Sequence, residues 1–110
     1  METDDINKLK NLADQRVDFD LHRRALKERI SEELCLAYNG GLFKVTPELI
    51  AFLATWPGMG LMYIEDSYGN PIQVERERFL SKLRERYEAV MHEWHAEFQV
   101  LKSARKFKDL

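Results

Sequence analysis

The sequence predicts a mainly α protein: a long antiparallel helical hairpin, coiled-coil-like, with a small antiparallel β-sheet and a short helix inserted at its tip. Three observations carry this. Residues 4–38 and 75–108 repeat apolar side chains at helical spacing. The 41–74 stretch between them carries short alternating runs separated by Pro, Gly, Asn and Asp. Finally, one antiparallel register sets most apolar residues of the first helix opposite apolar residues of the second. The 110 residues are read as a single domain.

Thr3 or Asp4 is the expected N-cap of the first helix, with Asp4 and Asp5 near the positive end of its dipole. Leu9, Leu12, Phe19, Leu26 and Ile30 form its stripe, interrupted by Arg16 and Arg23, and Asn39-Gly40-Gly41 is read as its C-cap. In the insert, Leu42 to Val45 is strand-like, and Thr46-Pro47-Glu48 starts a short helix with Thr as cap and Pro in the first turn. Trp56-Pro57-Gly58-Met59-Gly60 ends that helix. Leu61–Glu65 and Pro71–Val74 are the expected strands of a hairpin turned by Asp66-Ser67-Tyr68-Gly69-Asn70. The second long helix carries Leu80, Leu83, Tyr87, Val90, Trp94, Phe98 and Leu101 on one side, without Gly or Pro. Glu75 and Glu77 open it, and Lys102, Arg105, Lys106 and Lys108 close it, in accord with the dipole.

Helix ends at about 38 and 75 set Leu9 opposite Ala104, Leu12 opposite Leu101, Phe19 opposite Trp94, Leu26 opposite Tyr87 and Ile30 opposite Leu83. Arg16 then meets Glu97, and Asp5 meets Lys108. Arg23 with Val90 and Glu33 with Leu80 do not fit. Such a hairpin is about 50 Å long at the usual helical rise. Apolar residues are left over: Phe79, Met91, Phe98, Val100 and Phe107 on the second helix, and Ile6, Ala13, Val17, Leu21 and Leu34 on the first. Two helices cannot cover all of these, so the chain is expected to form a homo-oligomer, with Met91, Phe98, Val100 and Phe107 at the interface.

The composition is that of a folded protein, with 45% hydrophobic and 33% charged residues. Seventeen basic against 19 acidic residues give a net charge of -2, which disfavours a general grip on nucleic acid or an anionic membrane. Cys35 is the only cysteine, so no intrachain disulfide forms and a reducing compartment fits. The METDD start lacks the character of a secretory signal and no stretch has the length of a membrane span, so a cytoplasmic protein is expected.

Few residues suggest chemistry. His92 and His95 share a His-x-x-His spacing near His22 in the predicted register, as a metal site would need. Yet all three lie off the seam and the string lacks the His-Glu-x-x-His order of zinc proteases, so solvated histidines are the plainer reading. With neither a phosphate loop nor a nucleophile elbow, and with Cys35 alone, neither catalysis nor a cofactor is expected. Lys102, Arg105, Lys106 and Lys108 could meet phosphates, but cations also belong at a helix C-terminus. Trp56, Met59, Met62 and Tyr63 beside Pro and Gly are either anchors for another protein or the core of the insert.

The segments Tyr38–Ile50 and Asp66–Ile72 resemble small uncharacterised proteins of tailed phages that infect cyanobacteria. That resemblance implies a virion, accessory or assembly role, in the host cytoplasm or the virion, and assigns no catalytic residue. Two long helices with β structure between them are also similar in layout to prefoldin-type chaperone subunits. The expected function is therefore a non-enzymatic, self-associating binding, scaffold or assembly protein. The alternative is a nucleic-acid-binding accessory protein using the basic C-terminal end.

Overall fold

The chain orders its elements as α1 (Glu2–Glu33), β1 (Cys35–Tyr38), β2 (Gly41–Lys44), α2 (Pro47–Thr55), β3 (Leu61–Glu65), β4 (Pro71–Glu75) and α3 (Arg76–Asp109). The fold is mainly helical, with α1 and α3 antiparallel and the two hairpins and α2 between them in sequence. The computed structural model describes residues 2–109, and the side chains of 5–14 and 16–104 among these. The N-cap expected at Thr3 or Asp4 and the Asp5–Lys108 pairing involve side chains outside that set.

Chain contacts divide the protein into two compact units, residues 1–29 with 93–110 and residues 30–92. The second unit holds the clearest departure from the sequence reading. α1 ends at Glu33 instead of running to residue 38, and Cys35–Tyr38 is a strand paired antiparallel with Gly41–Lys44. Asn39 and Gly40 link Tyr38 to Gly41, with φ of 48° and 83°. Two successive left-handed residues are what a type I′ hairpin turn requires, and Asn-Gly is the pair that adopts them most readily. Asn39-Gly40 therefore reverses a hairpin and does not cap a helix. The Val45 N–H donates to the Leu34 carbonyl at 2.9 Å, extending the strand pairing to the residue that follows α1.

The predicted single small sheet is two separate two-stranded sheets, β1–β2 and β3–β4. They meet through side chains and turns, outside any shared ladder. A Cβ on Gly41 would lie 2.6 Å from Ile72 Cγ1, so the absence of a side chain lets the first hairpin rest on the second. Asn39 Nδ2 donates to the Gln73 carbonyl at 2.9 Å, and the Ser67 N–H to the Leu42 carbonyl at 2.8 Å. Buried Asp66 completes the joint: its Oδ1 accepts from the N–H groups of Tyr68 and Asn70, and its Oδ2 from that of Leu42. One carboxylate thus orders the β3–β4 turn and ties it to β2.

α2 starts as its sequence predicts. Thr46 is extended, and its Oγ1 accepts from the Leu49 N–H at 3.1 Å, with Pro47 in the first turn. At the other end Arg76 Nη1 donates to the Leu53 carbonyl at 2.9 Å, satisfying one acceptor that the helix leaves open.

Beneath these elements lies one core built from β2 (Phe43), the residue following it (Val45), α2 (Leu53), β4 (Val74) and α3 (Phe79, Leu80, Leu83). Phe79 is fully buried, its ring centroid 4.7 Å from that of Phe43, near edge-on, and 5.0 Å from that of Tyr38. Phe79, one of the apolar residues left over by the predicted helix pairing, is therefore central to this core, and Leu34 packs at its margin. Neither is a free surface residue. The same correction explains why Leu80 has no need of Glu33 as a partner.

In the first unit the predicted helix register shifts. Glu97 is ion-paired with Arg29, not with Arg16, and Arg23 lies 3.9 Å from Asp20 on its own helix. The β1–β2 hairpin takes up residues that the sequence reading gave to the first helix, so the pairing of α1 with α3 starts from a different point. Leu9 and Leu12, predicted to meet Ala104 and Leu101, are exposed.

Phe79→Ala should lower the unfolding free energy by about 3–5 kcal/mol, and Thr46→Ala by about 1 kcal/mol, both read from denaturant melts. The Asp66 carboxyl is held below the usual carboxylate range, chiefly by the Asn70 N–H, against the opposing effect of burial. Because the folded state then binds its proton less readily, Asp66 stabilises the fold fully above about pH 4 and loses that effect as pH falls through the lowered value. The difference in melting temperature between the native protein and Asp66→Asn should therefore narrow between neutral pH and strong acid.

Candidate interaction surfaces

Among the described residues, two sets of exposed apolar side chains remain after the core is accounted for, one in each unit. In residues 30–92 the inward and outward faces of α2 and β3 separate cleanly. Leu53 points into the core with Leu49 and Ile50 beside it, while Phe52 is exposed and its ring lies 5.4 Å from that of Trp56, one turn on. On β3, Met62 and Ile64 pack on the core, and the alternate residues Leu61 and Tyr63 face outward. Met59, on the loop between, is 81% exposed.

The four tip residues singled out from sequence thus divide. Met62 belongs to the core margin, whereas Trp56, Met59 and Tyr63 are surface groups. Phe52 and Leu61 join the exposed set, although the sequence reading does not single them out. Periodicity is the signal that finds them: Phe52 stands four residues before Trp56 on a helix, and Leu61 two before Tyr63 on a strand.

In the first unit most of the exposed large apolar groups lie on α1, and Val100 is on α3. Ile6, Leu9, Leu12, Val17 and Leu21 are each more than half exposed, Leu9 at 67%. Of the predicted oligomer contacts on α3, Val100 is exposed, Met91 and Phe98 are half-buried, and the Phe107 side chain lies outside the described residues.

The polar candidates gain less. His22, His92 and His95 are exposed, and among the described residues no three His, Cys, Asp or Glu groups converge as a metal set. His95 Nε2 instead lies 3.3 Å from Gln99 Nε2. Lys102 is exposed, while the side chains of Arg105, Lys106 and Lys108 lie outside the described residues. An open trough of about 530 Å³ runs beside α3 from Arg76 to Glu88, lined by charges of both signs. Arg86 Nη1 donates to the Cys35 carbonyl at 2.9 Å, and Lys82 Nζ sits 5.8 Å from the centre of the Tyr38 ring, so both cations serve to bind β1 to α3. Asp66 is shifted and buried, but its carboxylate is already engaged by three backbone N–H groups. Among the described residues no helix is long and apolar enough to cross a membrane.

Compared with known protein families, curated proteins and solved structures, the chain matches none.

Trp56→Ala should change the melting temperature far less than Phe79→Ala, with a stability loss of about 1 kcal/mol or less, because its ring covers Phe52 and not the core. Differential scanning calorimetry of the two variants side by side reads the contrast.

Proposed function

We propose that this chain is a non-enzymatic, self-associating helical-hairpin protein that acts as a binding, scaffold or assembly factor. The observation that carries the reading is the exposed apolar set on α1. Single exposed leucines are ordinary on a protein surface. Four of the five, Ile6, Leu9, Val17 and Leu21, fall within one side of a single helix and are not scatter, and burying them gains roughly 25 cal/mol per Å² of apolar surface removed from water.

Phe52, Trp56, Met59, Leu61 and Tyr63 support a second contact, with an unlike protein, in the other unit. Trp and Tyr on such surfaces give large contact areas at little cost in side-chain entropy. A virion or assembly role in a tailed phage is the setting we propose, on the resemblance of residues 38–50 and 66–72. The alternative, a nucleic-acid accessory protein, draws on Lys102 and the basic residues after it, and the net charge of -2 weighs against it.

Sedimentation velocity across the micromolar range tests the self-association. The expected result is a mass above that of one chain that rises with concentration. A monomer throughout, with no partner added, overturns the reading.

A further inference from the structure

Leu9, Ala13, Val17 and Leu21 recur every fourth residue and so form one ridge of α1, with Ile6 beside it; all five side chains are exposed. Ala13, Val17 and Leu21 lie on the other side of α1 from Phe19, Leu26 and Ile30, the residues whose side chains are half-buried or buried, while Leu9 at the end of the ridge lies between the two sides. A four-residue ridge packs by interdigitating with a second ridge of the same kind. In a twofold pair the second ridge is the same one on another copy, and each contact occurs twice.

Charge decides the direction and the register. Side by side in parallel, Lys10 would meet Lys10 and Asp14 would meet Asp14. Antiparallel, with the axis level with residue 15, Leu9 faces the partner's Leu21 and Ala13 faces the partner's Val17. The same alignment sets Lys10 against the partner's Asp20 and Asp14 against the partner's Arg16, giving four attractive pairs around an apolar ridge. Moving the axis to the level of residue 13 sets Lys10 against the partner's Arg16. Moving it to residue 17 sets Lys10 against the partner's Arg24 and Asp14 against the partner's Asp20. Both neighbouring registers bring like charges together, which is costly in a pairing of this kind. Arg16, no longer required by Glu97, is exposed, as are Lys10 and Asp14.

We propose that two copies of this chain pair through α1, antiparallel about a twofold axis level with residue 15, with Leu9, Ala13, Val17 and Leu21 as the buried ridge and Lys10–Asp20 and Asp14–Arg16 as the flanking ion pairs. This rests on the self-association proposed above and names its surface and register.

Charge exchange tests it on the full chain. Lys10→Glu sets an acid against the partner's Asp20, and Asp20→Lys sets a base against the partner's Lys10. Each variant alone should self-associate about tenfold more weakly than the native chain, since two attractive pairs become repulsive. An equimolar mixture of the two should regain association in the mixed dimer. There the acid introduced by Lys10→Glu meets the base introduced by Asp20→Lys, and the unaltered Lys10 of one chain meets the unaltered Asp20 of the other. Circular dichroism checks that both variants remain helical. Lys10→Glu leaves the Asp20–Arg23 ion pair untouched, and loss of that pair in Asp20→Lys would not be mended by mixing. Native association with both variants unaffected, or weakened variants not rescued by mixing, overturns this pairing while self-association stands. A native chain that stays monomeric overturns both.

Discussion

Phe79 must be buried, and the second unit is arranged to bury it. Its ring touches those of Tyr38 on β1 and Phe43 on β2, and Val74, Leu53 and Leu83 close the remaining sides of the core. To place Tyr38 and Phe43 on the same ring, the chain must reverse between them within a few residues. α1 therefore gives way to a strand after Glu33, and Asn39-Gly40 supplies the two left-handed residues of the turn. The end of the first helix, the first hairpin and the entry into α3 follow from one aromatic side chain that water cannot be left to solvate.

Asp66 and Gly41 then determine how the second hairpin joins the first. A β-hairpin alone is marginal in water, and two that do not share a ladder need another means of attachment. Here it is a carboxylate saturated by backbone donors, Leu42 among them, and a glycine that lets Ile72 close to within contact of the first hairpin's backbone. Burying a charge in this way is tolerable because its oxygens are given N–H partners in exchange for water. The outward faces of α2 and β3 are a by-product of the same arrangement: a core this small uses Met62, Ile64 and Leu53, and leaves Trp56, Tyr63 and Leu61 to the surface.

Much of this is legible in the sequence, wherever local chemistry has one meaning. Thr46-Pro47 is a helix start, and the alternation from Leu61 to Glu65 followed by Asp66 to Asn70 reads directly as strand and turn. Asn39-Gly40 has two meanings, because a helix C-cap and a type I′ turn both call for left-handed residues, and Cys35 to Tyr38 carries apolar groups that continue the helical stripe equally well. Taking it as a cap lengthens the first helix and displaces the whole register, which assigns Glu97 to Arg16 and not to Arg29. Phe79 is misplaced for the same reason. A helix paired only with another helix has no use for it, whereas a helix covered by a hairpin does. The surplus on α1 is legible without any register, since spacing alone sets Ile6, Ala13, Val17 and Leu21 away from Phe19 and Leu26.

That surplus separates the two units in character: residues 30–92 bury or half-bury most of their own large apolar groups, while α1 presents its row to whatever will cover it. Amide hydrogen exchange followed at rising protein concentration measures this most directly, because it reports on each segment of the chain separately. Protection within residues 5–24 should increase with concentration while that of residues 30–92 stays constant. Exchange in 5–24 that is rapid and independent of concentration would contradict the account.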